Sequence, residues 1–219
     1  MKLLLTSSGI TSRAIENSLK ELVEKPFEEL NVAFIPTAAH FENGDKHWFI
    51  KQLQECVELG FKEIDIVDIA VVSKERWLAA FKKAQVIMVG GGGEGYLLQM
   101  MKESGFIEEI ERLLGSRVYV GISAGAMALT PRIIPQVSKF LYKEPQVTNE
   151  KIEGLNFVDF SFFPHLNDDY FTNLTEENIR KITEEYNILK PIYALSDGTA
   201  LQIIDNNIKI IGDNVLEIK

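Results

Sequence analysis

As far as Pro131, short apolar runs alternate with stretches whose apolar positions recur every three or four residues. Lys2 to Thr6 (KLLLT), Asn31 to Ile35 (NVAFI), Ile64 to Val67, Gln85 to Val89 (QVIMV) and Val118 to Val120 read as strands. Ala14, Ile15, Leu19, Leu22 and Val23 share one face at helical spacing, so a helix is predicted from Ala14 to Val23. Further helices are predicted from about Lys46 to Leu59, from the Ser73 cap to about Lys83, from Tyr96 to Lys102 and from Phe106 to Leu114. Continuous apolar strands alternating with helices predict a parallel sheet covered on both faces. Ligands of such a sheet lie beyond the carboxyl ends of its strands.

After Pro131 the pattern loosens. Pro131 to Gln146 has no clear period, and neither helix nor strand is predicted there. Phe157 to Phe163 reads as a short aromatic strand ending at Pro164-His165. Thr175 opens a helix with Glu176 and Glu177 in its first turn, where carboxylates suit the dipole. Tyr193–Leu195, Leu201–Ile204, Ile208–Ile211 and Val215–Ile218 read as terminal strands, with a hairpin turn at Asp205-Asn206-Asn207. There is no internal repeat, and residues 1–219 read as a single domain.

Composition narrows the function. The chain has 219 residues, 46% hydrophobic and 25% charged, as in ordinary globular proteins. A net charge of −9 and a pI near 5.0 argue against nucleic acid and anionic membranes as main partners. Cys56 is the single cysteine, so no disulfide forms within the chain, and its helical setting suits a buried structural thiol. The apolar part of MKLLLTSSGI is short for a signal peptide and no apolar run has membrane-spanning length, so a cytoplasmic protein is expected. No metal-ligand spacing or phosphate loop is present, and no cofactor is expected. The oligomeric state stays open.

The chemistry concentrates in Val118 to Leu129 (VYVGISAGAMAL). Gly121-Ile122-Ser123-Ala124-Gly125 is a G-x-S-x-G between a strand and a small-residue helical segment, Ala124 to Leu129. That is the setting of a nucleophile elbow, in which a strained turn pushes the serine out of the strand end. The flanking glycines let strand and helix pass closely. Serine needs a base, and the histidines are His40, His47 and His165. His165 follows a strand end and a stiffening proline, which makes it the candidate base. His40 is a weaker candidate for substrate contact, and His47 reads as a surface residue. A tetrahedral intermediate also needs N–H donors. Ala124, after the serine, supplies one, and the Gly90–Gly93 run can supply another. Gly90, Gly92 and Gly95 also satisfy G-x-G-x-x-G, but no acidic ribose ligand ends the next strand, so nucleotide binding is the lesser reading.

Val-Gly-Gly-Gly at Val89 to Gly92, Gly-x-Ser-Ala-Gly-Ala at Gly121 to Ala126 and Pro164-His165, in that order, resemble peptidase E, an aspartyl-dipeptidase family of serine peptidases related to cyanophycinase. The resemblance implies a flavodoxin-like three-layer α/β sandwich with a mostly parallel sheet, similar to class I glutamine amidotransferases. By motif position it assigns Ser123 as nucleophile, His165 as base, and Gly91 or Gly92 with Ala124 as oxyanion hole. The family's acid follows the serine at a short distance, where Pro135 to Lys139 holds no carboxylate, so Glu144, Asp168 and Asp197 are the candidates. The family arginine that grips a substrate aspartate falls near Thr175, and Arg180 is the nearest arginine. The family commonly carries asparagine or aspartate where Gly93 stands. The expected function is hydrolysis of small peptides. The alternatives are a non-catalytic small-molecule or nucleotide-binding protein on this scaffold, or a hydrolase of a non-peptide amide or ester.

Overall fold

The computed structural model describes every residue except 42, 146, 147 and 149. Its centre is a seven-stranded sheet. Five strands are parallel: β1 (Lys2–Thr6), β2 (Asn31–Ile35), β3 (Glu63–Ile66), β4 (Val86–Val89) and β5 (Val118–Ile122), in the order β1-β5-β4-β2-β3. Their connections carry α1 (Arg13–Val23), α2 (His47–Glu58), α3 (Lys74–Lys83), α4 (Glu94–Glu103) and α5 (Phe106–Leu114). Side chains alternate across the sheet, as the strand period demands. Leu3 and Leu5 of β1 join one core with Trp77 and Phe81 of α3, Leu97 of α4 and Phe106 of α5. Leu4 faces the opposite core, with Ile15 and Leu19 of α1 and Cys56 of α2. Helices therefore cover both faces, and the expected three layers are present. Ser12 and Ser73 cap α1 and α3 by accepting backbone N–H bonds.

The remainder departs from the sequence reading in three places. The short α6 (Ala124–Met127) is followed by β6 (Arg132–Ile133), α7 (Pro135–Tyr142) and β7 (Ile152–Glu153), in the region where neither helix nor strand is predicted. Pro135 opens α7 from its first turn, where the missing N–H costs nothing, and Val137 and Leu141 are buried. The aromatic strand is shorter than expected: β8 is Ser161–Pro164. The preceding segment instead packs on the elbow region, with Leu155 N bonded to Ala128 O and Phe157 N to Leu129 O.

The terminal strands divide between two sheets. β9 (Ile192–Leu195) runs parallel to β8, after α8 (Glu176–Glu185), and forms a separate three-stranded sheet with β12 (Val215–Ile218). The hairpin β10 (Ala200–Ile204) and β11 (Asn207–Ile211) extends the main sheet antiparallel to β1.

Candidate active site

β5 is hydrogen-bonded on both sides, to β1 and β4, and ends at Ser123. Ser123 has φ 49 and ψ −110, a conformation that costs a non-glycine residue about 1–3 kcal/mol. Its surroundings hold it there. Its N–H donates to Thr6 O at 3.0 Å, and its carbonyl accepts from Ala126 N at 2.9 Å and Met127 N at 3.0 Å. The flanking glycines are sterically required. A Cβ on Gly121 would stand 2.7 Å from Ala126 N, and one on Gly125 would stand 2.2 Å from Val89 O. The buried Tyr119 hydroxyl donates to Gly125 O at 2.8 Å and pins the turn from below.

His165 follows β8 with φ 65. Its Nε2 lies 3.0 Å from Ser123 Oγ and its Nδ1 lies 2.8 Å from Asp197 Oδ1. This network assigns the proton to Nδ1 and leaves Nε2 to accept from the serine hydroxyl. Strand pairing explains the meeting. β8 and β9 are parallel with Pro164 opposite Leu195, so the residues just beyond them, His165 and Asp197, leave the sheet side by side. Likewise Thr6 is opposite Ile122, which brings Ser7 alongside Ser123. Ser7 Oγ donates to Asp197 Oδ1 at 2.7 Å and accepts the His165 backbone N–H at 2.8 Å.

Asp197 sits in a balance of opposed effects. Burial favours its neutral form. The bonds and charge from His165 and the hydroxyls of Ser7 and Ser8 outweigh burial, and its carboxyl stays below the usual range. The His165 side chain is 14% exposed and that of Asp197 is 46% exposed. The Phe171 ring lies 5.0 Å from the imidazole and covers it.

The glycine loop passes directly over the serine. A Cβ on Gly91 would stand 3.3 Å from Ser123 Cβ, and Gly92 has φ +127 with its missing Cβ 2.2 Å from Ala38 O. Gly90 and Gly93 spend their N–H groups on Ile35 O and Ala38 O. Among the described residues, the N–H groups of Gly91, Gly92 and Ala124 donate to no backbone carbonyl. α6 is a single turn, so the donors here act as individual N–H groups more than as the end of a long helix dipole.

Of the three acid candidates, only Asp197 bonds to His165. Asp168 accepts the backbone N–H groups of Tyr170 and Phe171 and closes the turn beyond His165. Glu144 is buried beside Gly93. His40 pairs with Asp68 at 2.7 Å, and His47 is exposed and pairs with Asp45. Arg180 pairs with Glu176 on the exposed side of α8. Cys56 is buried 3.4 Å from Met88 Sδ, and burial pushes its thiol up to about 12, which leaves it inert. Sequence reasoning missed Ser7, whose place at the end of a strand central to the sheet was the available signal. It also missed Gln52, which is buried on α2 with its amide packed against Gly90 and Gly91. Close packing accounts for Gly90 and Gly92 without a nucleotide. Among the described residues, no group of three acidic, histidine or cysteine side chains could hold a metal, and no helix is long and apolar enough to cross a membrane.

Comparison with known proteins agrees with this geometry. Residues 3–211 match the model of peptidase family S51. An uncharacterized peptidase of Listeria monocytogenes is 30% identical, with the match covering 86% of this chain and 92% of that protein. A peptidase E of a Nostoc species is 28% identical over 92% of this chain and 78% of its own. The crystal structure of a Listeria monocytogenes protein described as a candidate peptidase E superposes with a TM-score of 0.74 at 28% identity, covering 100% of this chain and 98% of that one. With its family matched over nearly its whole length, the chain belongs to peptidase family S51 and is a serine-type peptidase.

Proposed function

We propose that the chain hydrolyses small peptides, in the manner of a dipeptidase, with Ser123 as nucleophile, His165 as general base and Asp197 as the orienting acid. The observation that carries this reading is the continuous relay from Ser123 Oγ through the His165 ring to Asp197 Oδ1, at 3.0 and 2.8 Å. In the first step Ser123 Oγ attacks the peptide carbonyl while His165 Nε2 takes its proton. Asp197 stabilises the imidazolium that forms. The N–H groups of Ala124 and of Gly91 or Gly92 stabilise the oxyanion, a contribution worth about 10²–10³ in rate per donor. His165 then returns the proton to the leaving amine, and a water molecule activated by the same imidazole releases the acyl group.

The acidic surface charge fits a peptide-cleaving role in the cytoplasm without nucleic acid or membrane partners. A non-catalytic binding protein on this scaffold has no need of a carboxylate on His165, and the position of Asp197 weighs against it. The test is covalent labelling by a fluorophosphonate, read by intact mass. A single adduct on the wild type and none on Ser123→Ala is the expected result. No adduct on folded wild-type protein would overturn the assignment.

A further inference from the structure

The glycine loop runs into α4 at Glu94, whose side chain is only 3% exposed. Among the described residues its carboxylate makes no hydrogen bond and no ion pair. An ionised carboxylate withdrawn from water without a partner is strongly unfavourable. Its place in the first turn of α4 offsets only part of that cost. The arrangement is that of an anion waiting for a cation.

The surroundings locate that cation. A second acid, Glu144, is 6% exposed, and its Oε1 lies 2.8 Å from where a Gly93 Cβ would stand. Glu94 and Glu144 both act on the Tyr142 hydroxyl: burial first, then their two negative charges, hold it well above the usual phenol range. That hydroxyl donates to Pro164 O at 3.5 Å, next to His165. The Tyr142 ring meets Phe171 at 5.5 Å, and Phe171 covers the His165 ring. On the other side, Gly91 of the same glycine loop touches Ser123. The two acids therefore occupy the wedge between the glycine loop and the histidine loop. Phe41 and Tyr96, stacked at 5.3 Å, form an aromatic wall beside Gly93.

We propose that this wedge is a subsite for a primary ammonium group of the peptide substrate, held by Glu94 with Glu144 in support. The inference rests on the serine-peptidase reading above and adds the substrate class. It makes the enzyme select for positive charge beside the scissile carbonyl, and no arginine is present here to select for negative charge, since Arg180 is engaged with Glu176. The ammonium has two sources: the free α-amino group of the peptide or the side chain of a lysine.

Four aminomethylcoumarin amides separate them: lysine, norleucine, acetyl-lysine and acetyl-norleucine. They are assayed with the wild type, Glu94→Gln and Glu94→Asp. The readout is the ratio of kcat/KM between an ammonium-bearing substrate and its neutral counterpart. A ratio of about tenfold or more is expected for the wild type, the scale of one charge-assisted pair. It should collapse toward unity in Glu94→Gln and survive in part in Glu94→Asp. Lysine over norleucine reports the side chain, and free over acetylated norleucine reports the α-amino group.

A wild-type ratio near one in both comparisons overturns the subsite, as does a ratio that Glu94→Gln leaves intact. Fluorophosphonate labelling separates the two readings. Labelled wild type without ammonium preference refutes the subsite alone. If the wild type takes no label, the catalytic assignment fails. The subsite is then judged by melting shifts with lysinamide against norleucinamide: a lysinamide shift lost in Glu94→Gln supports it, and no shift refutes it.

Discussion

Asp197→Asn removes the charge behind His165 and keeps nearly the same shape. Its cost follows from three observations. First, the carboxylate meets Nδ1 at 2.8 Å, so the imidazolium formed during attack is directly paired. With about 4 Å between charge centres, such a pair is worth about 4 kcal/mol at an effective dielectric of about 20 and about 1 kcal/mol in water. Second, the Asp197 side chain is 46% exposed, which places it between those limits, at about 2–3 kcal/mol, or roughly 10²-fold in rate. Third, Ser7 already accepts the His165 backbone N–H, so its own proton points at Asp197 Oδ1. An asparagine oxygen at that position still accepts from both Ser7 and Nδ1. The correct tautomer persists, and the much larger loss of about 10⁴ that follows tautomer reversal is avoided. The assay is the second-order rate of fluorophosphonate labelling, with thermal melting as the control for folding. Asp197→Asn should label about 10²-fold more slowly. The double variant with Ser7→Ala, whose amide is free to flip, should fall further. A change under about threefold in Asp197→Asn would refute the electrostatic role, since even the lower Coulomb limit exceeds it. Loss to the level of Ser123→Ala would refute the role given to Ser7.

The remaining predictions address how the site is held. Ser7→Ala alone should slow labelling about tenfold and lower stability by about 1–3 kcal/mol, because it strips the His165 N–H of its acceptor; unchanged kinetics would show that Ser7 is a bystander. Gly125→Ala drives a Cβ to 2.2 Å from Val89 O and should cost about 3 kcal/mol or more in chemical denaturation; an unchanged midpoint would show that the elbow tolerates bulk. Stability against acid follows from Asp197, whose carboxyl is held below its usual range. A lowered folded-state value contributes stability above the unfolded value and loses it as pH falls through the folded one. The gap in melting temperature between wild type and Asp197→Asn should therefore close as pH drops from about 5 to about 2, and a gap that widens over that range contradicts the assignment.

What could be read from sequence divides along physical lines. The parallel strands were legible because each is buried on both faces and so is continuously apolar; β1, β2 and α5 have the predicted bounds. Ser123, Gly91 and Ala124 were legible because the elbow imposes backbone demands that only glycine meets, and those demands leave a mark in the residue types. β6 and β7 left no such mark, since two residues each cannot show a period, and the prolines that read as breakers include Pro135, which begins α7. Asp197 could be named only as one of three acids. Spacing from the serine points to Pro135–Lys139, which lies in α7 and holds no carboxylate. What selects Asp197 is the parallel pairing of β8 with β9, which sets two loops distant in sequence at one sheet end. That pairing is a long-range choice between strands of similar composition, and β9 could equally have joined the main sheet as β10 does. Glu94 marks the same boundary from the other side. In the sequence it is one polar residue in a run of glycines, and its significance comes from burial without a partner, a property of the assembled loops alone.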